Sequence, residues 1–277
     1  MLSLHTNNAA LSAQNAISKT QSNLSTSMTR LSTGYRINSA MDDAAGLQIA
    51  SRLKAQSSGM TIAMRNTQNA TAMLQTAEGA LDEMSNIVVR MKDLATQAAD
   101  SGTTAKDKTA LNAEFGELAK ELVNIMGNTT FGGAKLLDAT DGTLTDDMTF
   151  QIGADAAEVM TVNVTAALTK VQTSVTTPGA LTDADTSSDA IGTLNDAIDN
   201  IGELRSALGA AANRLDHVNN NLANISTNTK TATGLIMDVD FATESANMTS
   251  NQMLLQAGTA MLKQSNSMSS MVMSLLQ

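Results

Sequence analysis

The chain has 277 residues, and its composition favours helices packed against helices: aromatic residues make up 2 %, tryptophan is absent, and 18 methionines must help to fill the core. The formal net charge of −10 argues against nucleic acid and anionic membranes as partners, because both attract clustered Lys and Arg. The absence of cysteine excludes disulfides, thiolate metal sites and cysteine nucleophiles.

The first segment, residues 1–33, carries one narrow apolar stripe. Its apolar positions recur at or near intervals of seven, at Leu4, Leu11, Ile17, Leu24 and Leu31. Ser, Thr, Asn and Gln border the stripe, and charged residues are few. This pattern predicts a helix that needs a packing partner, because such a helix is marginally stable alone in water.

The next stretch combines a helix stop with a helix start. Arg30 falls in the last turn of the first helix, and Gly34 is placed to cap its carboxyl end. Ser39 and Asp42 fit the capping-box pattern, and Asp43 adds negative charge to the first turn of a new helix. The sequence therefore predicts a capped hinge at Gly34, Ser39, Asp42 and Asp43.

Longer heptad series follow in both halves of the chain. One half has the two series Ala70, Ala77, Met84, Met91 and Leu74, Leu81, Val88, Ala95, and the other has Leu194, Ile201, Leu208, Leu215 and Leu222. A shorter helical pattern, Leu111 to Ile125, lies between them. Apolar residues that recur every seven positions over a long stretch indicate coiled-coil packing. We expect a mainly α fold in which long antiparallel coiled-coil helices from both chain ends pair with each other.

The middle of the chain breaks this pattern. Residues of about 128–175 contain paired glycines and two alternating runs, 148–152 and 159–164, which predict a small β-hairpin insert. A Ser/Thr/Asp-rich stretch at about 176–188 is predicted to be a loop.

The last segment, residues 240–277, again has a single apolar stripe with little charge. Its series is Leu254, Met261, Met268 and Leu275, with Leu255 and Leu262 beside it. Pairing of the two terminal helices would cover only one seam, so we expect identical copies to cover the rest. The predicted assembly seam comprises Leu4, Leu11, Ile17, Leu24, Leu31, Leu254, Met261, Met268 and Leu275.

Several strings resemble those of bacterial flagellins. Their N-terminal signature is similar to Arg36–Ala50, which reads RINSAMDDAAGLQIA, and further similar strings are Gln75–Leu81, Thr130–Leu137, Asp240–Glu244 and Ser274–Gln277. The resemblance covers most of the chain outside the insert. It implies that residues 1–40 and 240–277 form inner-core terminal helices and that residues 41–239 form a coiled-coil domain. The space between the two halves is too short for the outer domains of larger flagellins.

The resemblance also implies a function and partners. A flagellin-like chain is a structural subunit that self-assembles outside the cell into the helical filament used for motility. Implied partners are identical subunits, the flagellar export apparatus, an export chaperone on the C-terminal helix and the filament cap. We expect no catalytic, cofactor or metal residues, because no H-E-x-x-H, P-loop or G-x-S-x-G string occurs.

The segment Val89–Gln97 resembles the flagellin stretch recognised by an animal Toll-like receptor. The matching positions are Arg90, Leu94 and, on the following helix, Glu114. Val89, Lys92 and Asp93 depart from the residues common in receptor-active relatives.

Two other readings remain open at this stage. A hook-filament junction protein would share the terminal helices. A secreted coiled-coil binding module would be a soluble monomer or small oligomer and would not explain the motif matches at both ends.

Overall fold

The computed structural model describes residues 7–176 and 178–275, with side chains described as far as residue 267. The helices are α1 (Asn8–Thr33), α2 (Ala44–Ala99), α3 (Ala105–Asn128), α4 (Thr165–Thr176), α5 (Ala184–Met237) and α6 (Phe241–Leu275). The strands are β1 (Thr130–Phe131), β2 (Ala134–Lys135), β3 (Met148–Gln151) and β4 (Val159–Val162), and a short 3-10 helix spans Thr143–Thr145. The predicted mainly α fold with a small β insert is confirmed. No helix in the described ranges has the length and hydropathy needed to cross a membrane.

The chain divides into two compact units. The terminal unit contains the residues up to Gln56 and those from Asn228 onward, and the middle unit is Ser57–Thr227. Helices α2 and α5 each contribute residues to both units, because neither is interrupted at the boundary.

In the middle unit, α2 and α5 run antiparallel around a continuous apolar core. Both heptad series of α2 and the series of α5 are buried, as the sevens predict. Arg205 on α5 contacts Glu78 at 2.8 Å and Asp82 at 2.9 Å on α2. Farther along, the amide of Asn219 donates to the Thr67 hydroxyl at 2.9 Å. These polar contacts fix the register of the two helices.

The insert forms two antiparallel hairpins. In the short hairpin β1–β2, Gly132 and Gly133 both have positive φ, 61° and 89°, which a two-residue turn of this kind needs. In the second hairpin, β3 pairs with β4 from Met148 opposite Val162 to Gln151 opposite Val159. A Cβ on Gly59 of α2 would lie 2.7 Å from the Cβ of Ala154, so the turn of this hairpin rests closely on the helix.

The structure departs from the predictions after the hairpins. Residues 165–176, expected within the β insert, form α4, and its Leu168, Val171 and Val175 are buried at helical spacing. Helix α5 begins at Ala184, inside the stretch predicted as a loop. The Asp183 amide donates to the Thr186 hydroxyl at 2.9 Å, and the hydroxyl of buried Ser187 donates to the Asp183 carbonyl at 2.7 Å. Ser, Thr and Asp favour helix starts as much as loops, which explains the difference.

Candidate assembly surface

Helices α1 and α6 form an antiparallel pair in the terminal unit. At one end, the Asn7 amide donates to the carbonyl and hydroxyl oxygens of Ser265 at 3.3 Å. In the middle, Gly258 allows close approach, because a Cβ there would lie 2.9 Å from Cγ1 of Ile17. Asn7 also caps α1 by accepting from the Ala10 amide at 3.1 Å. The pair is thus held along one seam, with a glycine where Ile17 packs against α6.

The predicted assembly seam divides into two faces. Ile17, Leu24 and Leu31 are half-buried in the pair, and α6 meets them through the neighbouring series that contains Leu255 and Leu262. Leu11, Leu254 and Met261 are instead exposed, at 53 %, 57 % and 69 %. Leu4 lies outside the described residues, and the side chains of Met268 and Leu275 are likewise outside them.

Helix geometry accounts for this division. Positions 254 and 255 differ by about 100° around an α-helix, so one of them can face α1 while the other faces away. Leu254, Ala257 and Met261 share the exposed face, at spacings of three and four. We call these three residues the outer stripe. It is an apolar helix face that the protomer itself leaves uncovered.

The hinge between α1 and α2 contains the predicted cap residues, in a different arrangement. Gly34 ends α1 with φ 76°, and its amide donates to the Arg30 carbonyl at 2.9 Å. The prediction that Ser39 caps the next helix is wrong, because α2 begins at Ala44. Asp43 accepts from the Gly46 amide at 2.8 Å and is the residue in the capping position.

Asp42 stabilises a turn that precedes α2. One of its carboxylate oxygens accepts from the amides of Ser39 at 2.9 Å and Asn38 at 3.0 Å, which closes a turn before the helix. These backbone hydrogen bonds, that from Ser39 first, lower the pKa of Asp42 below its usual value. The turn places Ile37 in a buried position against Gly46, where a Cβ would lie 2.8 Å from Cδ1 of Ile37. A larger residue at position 46 would have to displace the Ile37 side chain and the Asp43 carboxylate that caps α2.

An ion cluster joins three parts of the terminal unit. Arg30 on α1 lies 3.9 Å from Asp42 in the hinge and 3.9 Å from Glu244 on α6. Glu244 is only 8 % exposed, and Arg30 Nε is buried with no hydrogen-bond partner among the described residues. Buried charges are costly unless compensated, so Glu244 depends on the charge of Arg30, while the side chains of Arg30 and Asp42 remain 29 % and 25 % exposed. The cluster brings together the hinge motif and the Asp240–Glu244 motif, which lie far apart in the sequence.

The connection between α5 and α6 pairs with the hinge. The Arg36 amide donates to the Met237 carbonyl at 2.6 Å, and the Val239 amide donates to the Gly34 carbonyl at 3.0 Å. Asp240 then starts α6 by accepting from the Ala242 amide and the Thr243 hydroxyl, at 3.0 Å and 2.7 Å. The Thr243 hydroxyl is the main reason why the pKa of Asp240 is lowered.

The predicted receptor-recognition residues lie in the middle unit and do not form one surface. Arg90 on α2 and Glu114 on α3 form an exposed ion pair at 2.7 Å. Leu94 is only 2 % exposed and belongs to the core, because it continues the buried face of α2. In this protomer a receptor cannot contact the Leu94 side chain directly, contrary to the prediction.

Sequence reasoning missed the ion cluster and the true seam of α6. In the sequence, Glu244 belongs only to a family-like string, and nothing local shows that it is buried. Leu255 and Leu262 lie beside the predicted series, but two adjacent heptad series cannot be assigned to faces until the partner helix is known. Within the described residues, no three or more His, Asp or Glu side chains are grouped to hold a metal ion.

Comparison with known proteins connects these features to one family. The model of the bacterial flagellin N-terminal helical region matches residues 4–141, and that of the C-terminal helical region matches residues 191–276. A flagellin of Halalkalibacterium halodurans is 39 % identical over 251 residues, which cover 90 % of both chains. A flagellin of Bacillus subtilis is 37 % identical over 299 aligned residues and 98 % of both chains.

Solved structures agree with these matches. The crystal structure of Bacillus cereus flagellin matches with a TM-score of 0.51 and 37 % identity, covering 57 % of this chain and 88 % of that one. A protein of Vibrio parahaemolyticus described as flagellar hook-associated matches with a TM-score of 0.57 but only 15 % identity, which shows the fold alone. On the family models and the relatives together, the chain belongs to the bacterial flagellin family and is a structural subunit of the flagellar filament.

Proposed function

We propose that the chain polymerises through its terminal helices and that the outer stripe of α6 is buried between copies in the filament. The observation that carries this proposal is the exposure of Leu254 and Met261 on a regular helix face, at 57 % and 69 %. Regularly spaced apolar side chains on a helix are typical of a face that packs against another helix. Leu11 on α1 is a further exposed apolar side chain of the terminal unit, at 53 %.

The mechanism we infer is coupled ordering and assembly. Ordering a residue costs about 1–2 kcal/mol of backbone entropy, and one half-buried seam recovers little of that cost for a long helix. Contacts with neighbouring subunits supply the remaining burial. Because a contact between unlike surfaces does not close on itself, it propagates into an open helix.

Seeded elongation tests this proposal. Purified subunit is added to short filament fragments, and growth is followed by electron microscopy. Leu254→Gln keeps good helix propensity but places a polar amide in the stripe, and we expect it to slow elongation strongly. The matched control is Val123→Gln, which changes an exposed apolar residue of α3 in the middle unit. Equal elongation by the two variants would contradict the proposal.

The other flagellar partners are proposed by analogy with the family. We propose that the chain is exported as an unfolded polypeptide, that the outer stripe is held by an export chaperone until export, and that the cap guides its folding at the filament tip. The filament is extracellular, and the subunit acts there without catalysis. A pull-down of the export chaperone by the parent chain and by the Leu254→Gln variant tests the chaperone contact. We expect the variant to bind the chaperone more weakly, because its outer stripe is disrupted.

A second proposal concerns host recognition. We propose that the free subunit is recognised by the animal flagellin-sensing Toll-like receptor through Arg90 and Glu114. Their side chains are 56 % and 47 % exposed and are paired with each other, so they present a fixed polar surface. In a receptor reporter assay, the double variant Arg90→Ala, Glu114→Ala should give a smaller response than the parent chain. The control removes the more exposed pair of Lys120 and Glu117, and an equal loss there would contradict the assignment.

A further inference from the structure

The methionines fall into two groups by exposure. Met84 and Met91 lie wholly inside the core of the middle unit, whereas Met28, Met41, Met253 and Met261 are 53 %, 96 %, 61 % and 69 % exposed. Thioether sulfurs that face solvent react with peroxides, and buried ones are shielded. The exposed methionines are therefore the places where an oxidant can modify the free subunit.

Met261 differs from the other three in its position. It lies on the outer stripe with Leu254, whereas Met28 lies on α1, Met41 lies in the turn before α2, and Met253 is one residue away from the stripe. If the stripe becomes buried in the filament, Met261 passes from water to an apolar contact. We propose that Met261 is an oxidation site and that its sulfoxide prevents the free subunit from joining a filament, an inference that rests on the proposed function above.

The chemistry needs only a peroxide as co-reactant. The sulfur lone pair attacks one peroxide oxygen, the O–O bond breaks, and the other oxygen leaves as water after taking up a proton. The sulfur loses two electrons, and the peroxide gains them. The product is a sulfoxide, which places a strong hydrogen-bond acceptor where a methyl thioether had been.

This change acts on assembly and leaves the protomer intact. Met261 is largely exposed, so a sulfoxide there remains hydrated while the subunit is free, and the seam through Leu255 and Leu262 is unchanged. On assembly the same oxygen would lose its water without gaining a donor from an apolar face. That cost corresponds to a critical concentration raised on the order of tenfold or more.

The first test uses no oxidant. Gln at position 261 is similar in size to Met and carries a polar oxygen, so Met261→Gln imitates the sulfoxide, and Met261→Leu keeps the site apolar. We expect Met261→Gln to raise the critical concentration for seeded growth about tenfold. Met261→Leu and Met41→Gln should leave it unchanged. Equal growth of Met261→Gln and the parent chain would overturn the inference.

The second test treats subunit and filament with hydrogen peroxide and measures each sulfoxide by peptide mass spectrometry. Met261 should oxidise in the free subunit and be protected in the filament, with Met84 and Met91 as unreactive references. After treatment, Met261→Leu should elongate better than Met41→Leu. Equal reactivity of Met261 in both states, or equal loss of growth by both variants, would overturn the inference. Failure of the untreated parent chain to grow on seeds would instead contradict the proposed function.

Discussion

The terminal and middle units differ in how completely they bury their apolar side chains. In the middle unit, side chains such as Leu74, Leu81 and Leu204 are fully buried within one continuous core. In the described part of the terminal unit, Ile37 and Ala50 are the buried apolar side chains, at 2 % and 4 % exposure, while Leu235, Phe241 and Met261 face solvent. The middle unit has a continuous core of its own, whereas the terminal unit leaves apolar side chains exposed, which is the basis for our proposal that neighbouring copies cover them.

The two units also differ in net charge, and this difference again favours packing of the terminal unit against copies of itself. The middle unit holds 22 Asp and Glu against 10 Lys and Arg, and the terminal unit holds five against seven. Net charge keeps a surface hydrated and apart from other copies. A nearly neutral terminal unit loses little electrostatic energy when it packs against copies of itself, so charge and burial both favour assembly through the termini.

The largest expected effect comes from removing α6. A chain without residues 240–277 should fail to elongate filaments, because α1 then loses its partner and the outer stripe is absent. The core of the middle unit contains none of the deleted residues. Circular dichroism should therefore show a cooperative melt for the truncated chain. Normal filaments from it would refute the role given to the terminal pair.

The second-largest effect is the loss of stability on truncating a leucine, which should differ between the two units. Leu81→Ala, in the middle unit, should lower the free energy of unfolding by about 2–5 kcal/mol, as expected for a fully buried leucine. Leu255→Ala, in the half-buried seam, should lower it by less than about 1 kcal/mol in the free subunit. Urea unfolding of the free subunit measures both. Similar losses would show that the terminal unit is an independently stable part of the protomer.

A smaller effect is expected from the ion cluster. Glu244→Gln removes the charge that Arg30 faces from α6, and should destabilise the start of α6 by about 1 kcal/mol. Hydrogen exchange of the amides in the first turns of α6 would show this as faster exchange. Glu117→Gln breaks a shorter but exposed pair and serves as the control. If both variants leave exchange unchanged, the cluster contributes nothing to the pairing of α1 with α6.

The smallest effect concerns acid stability in the insert. The side chain of Lys135, followed by the Thr140 amide, lowers the pKa of Asp138 from 3.8 to about 2. A carboxylate with a lowered pKa in the folded state stabilises it above the unfolded value, and this contribution disappears as the pH falls towards about 2. The parent chain and Asp138→Asn should therefore differ in stability above pH 3.8 and converge at lower pH. A difference that is constant with pH would contradict this assignment.

Periodicity in the sequence predicts the long helices well because a side chain in a heptad series has few alternatives. Leu74, Leu81 and Leu208 are buried where the series places them. The strands at Met148–Gln151 and Val159–Val162 follow from alternation in the same direct way. Helix α4 and the start of α5 were missed because Thr, Ser and Asp residues dominate there, and these are compatible with strands, loops and helix starts alike.

Positions that depend on tertiary contact could not be read from the sequence. The choice between Leu254 and Leu255 as the residue facing α1 depends on how Gly258 meets Ile17. Asp43 replaces Ser39 as the cap because Asp42 is engaged by two backbone amides. Leu94 matches a recognition motif, yet the packing of α2 places it in the core.

Hydrogen exchange compared between dilute subunit and filament tests the central claim most directly. The account predicts that amides of α1 and α6 exchange rapidly in the free subunit and slowly in the filament, while those of α2 around Leu81 are slow in both. Slow exchange throughout α1 and α6 in a dilute, unassembled subunit would contradict it.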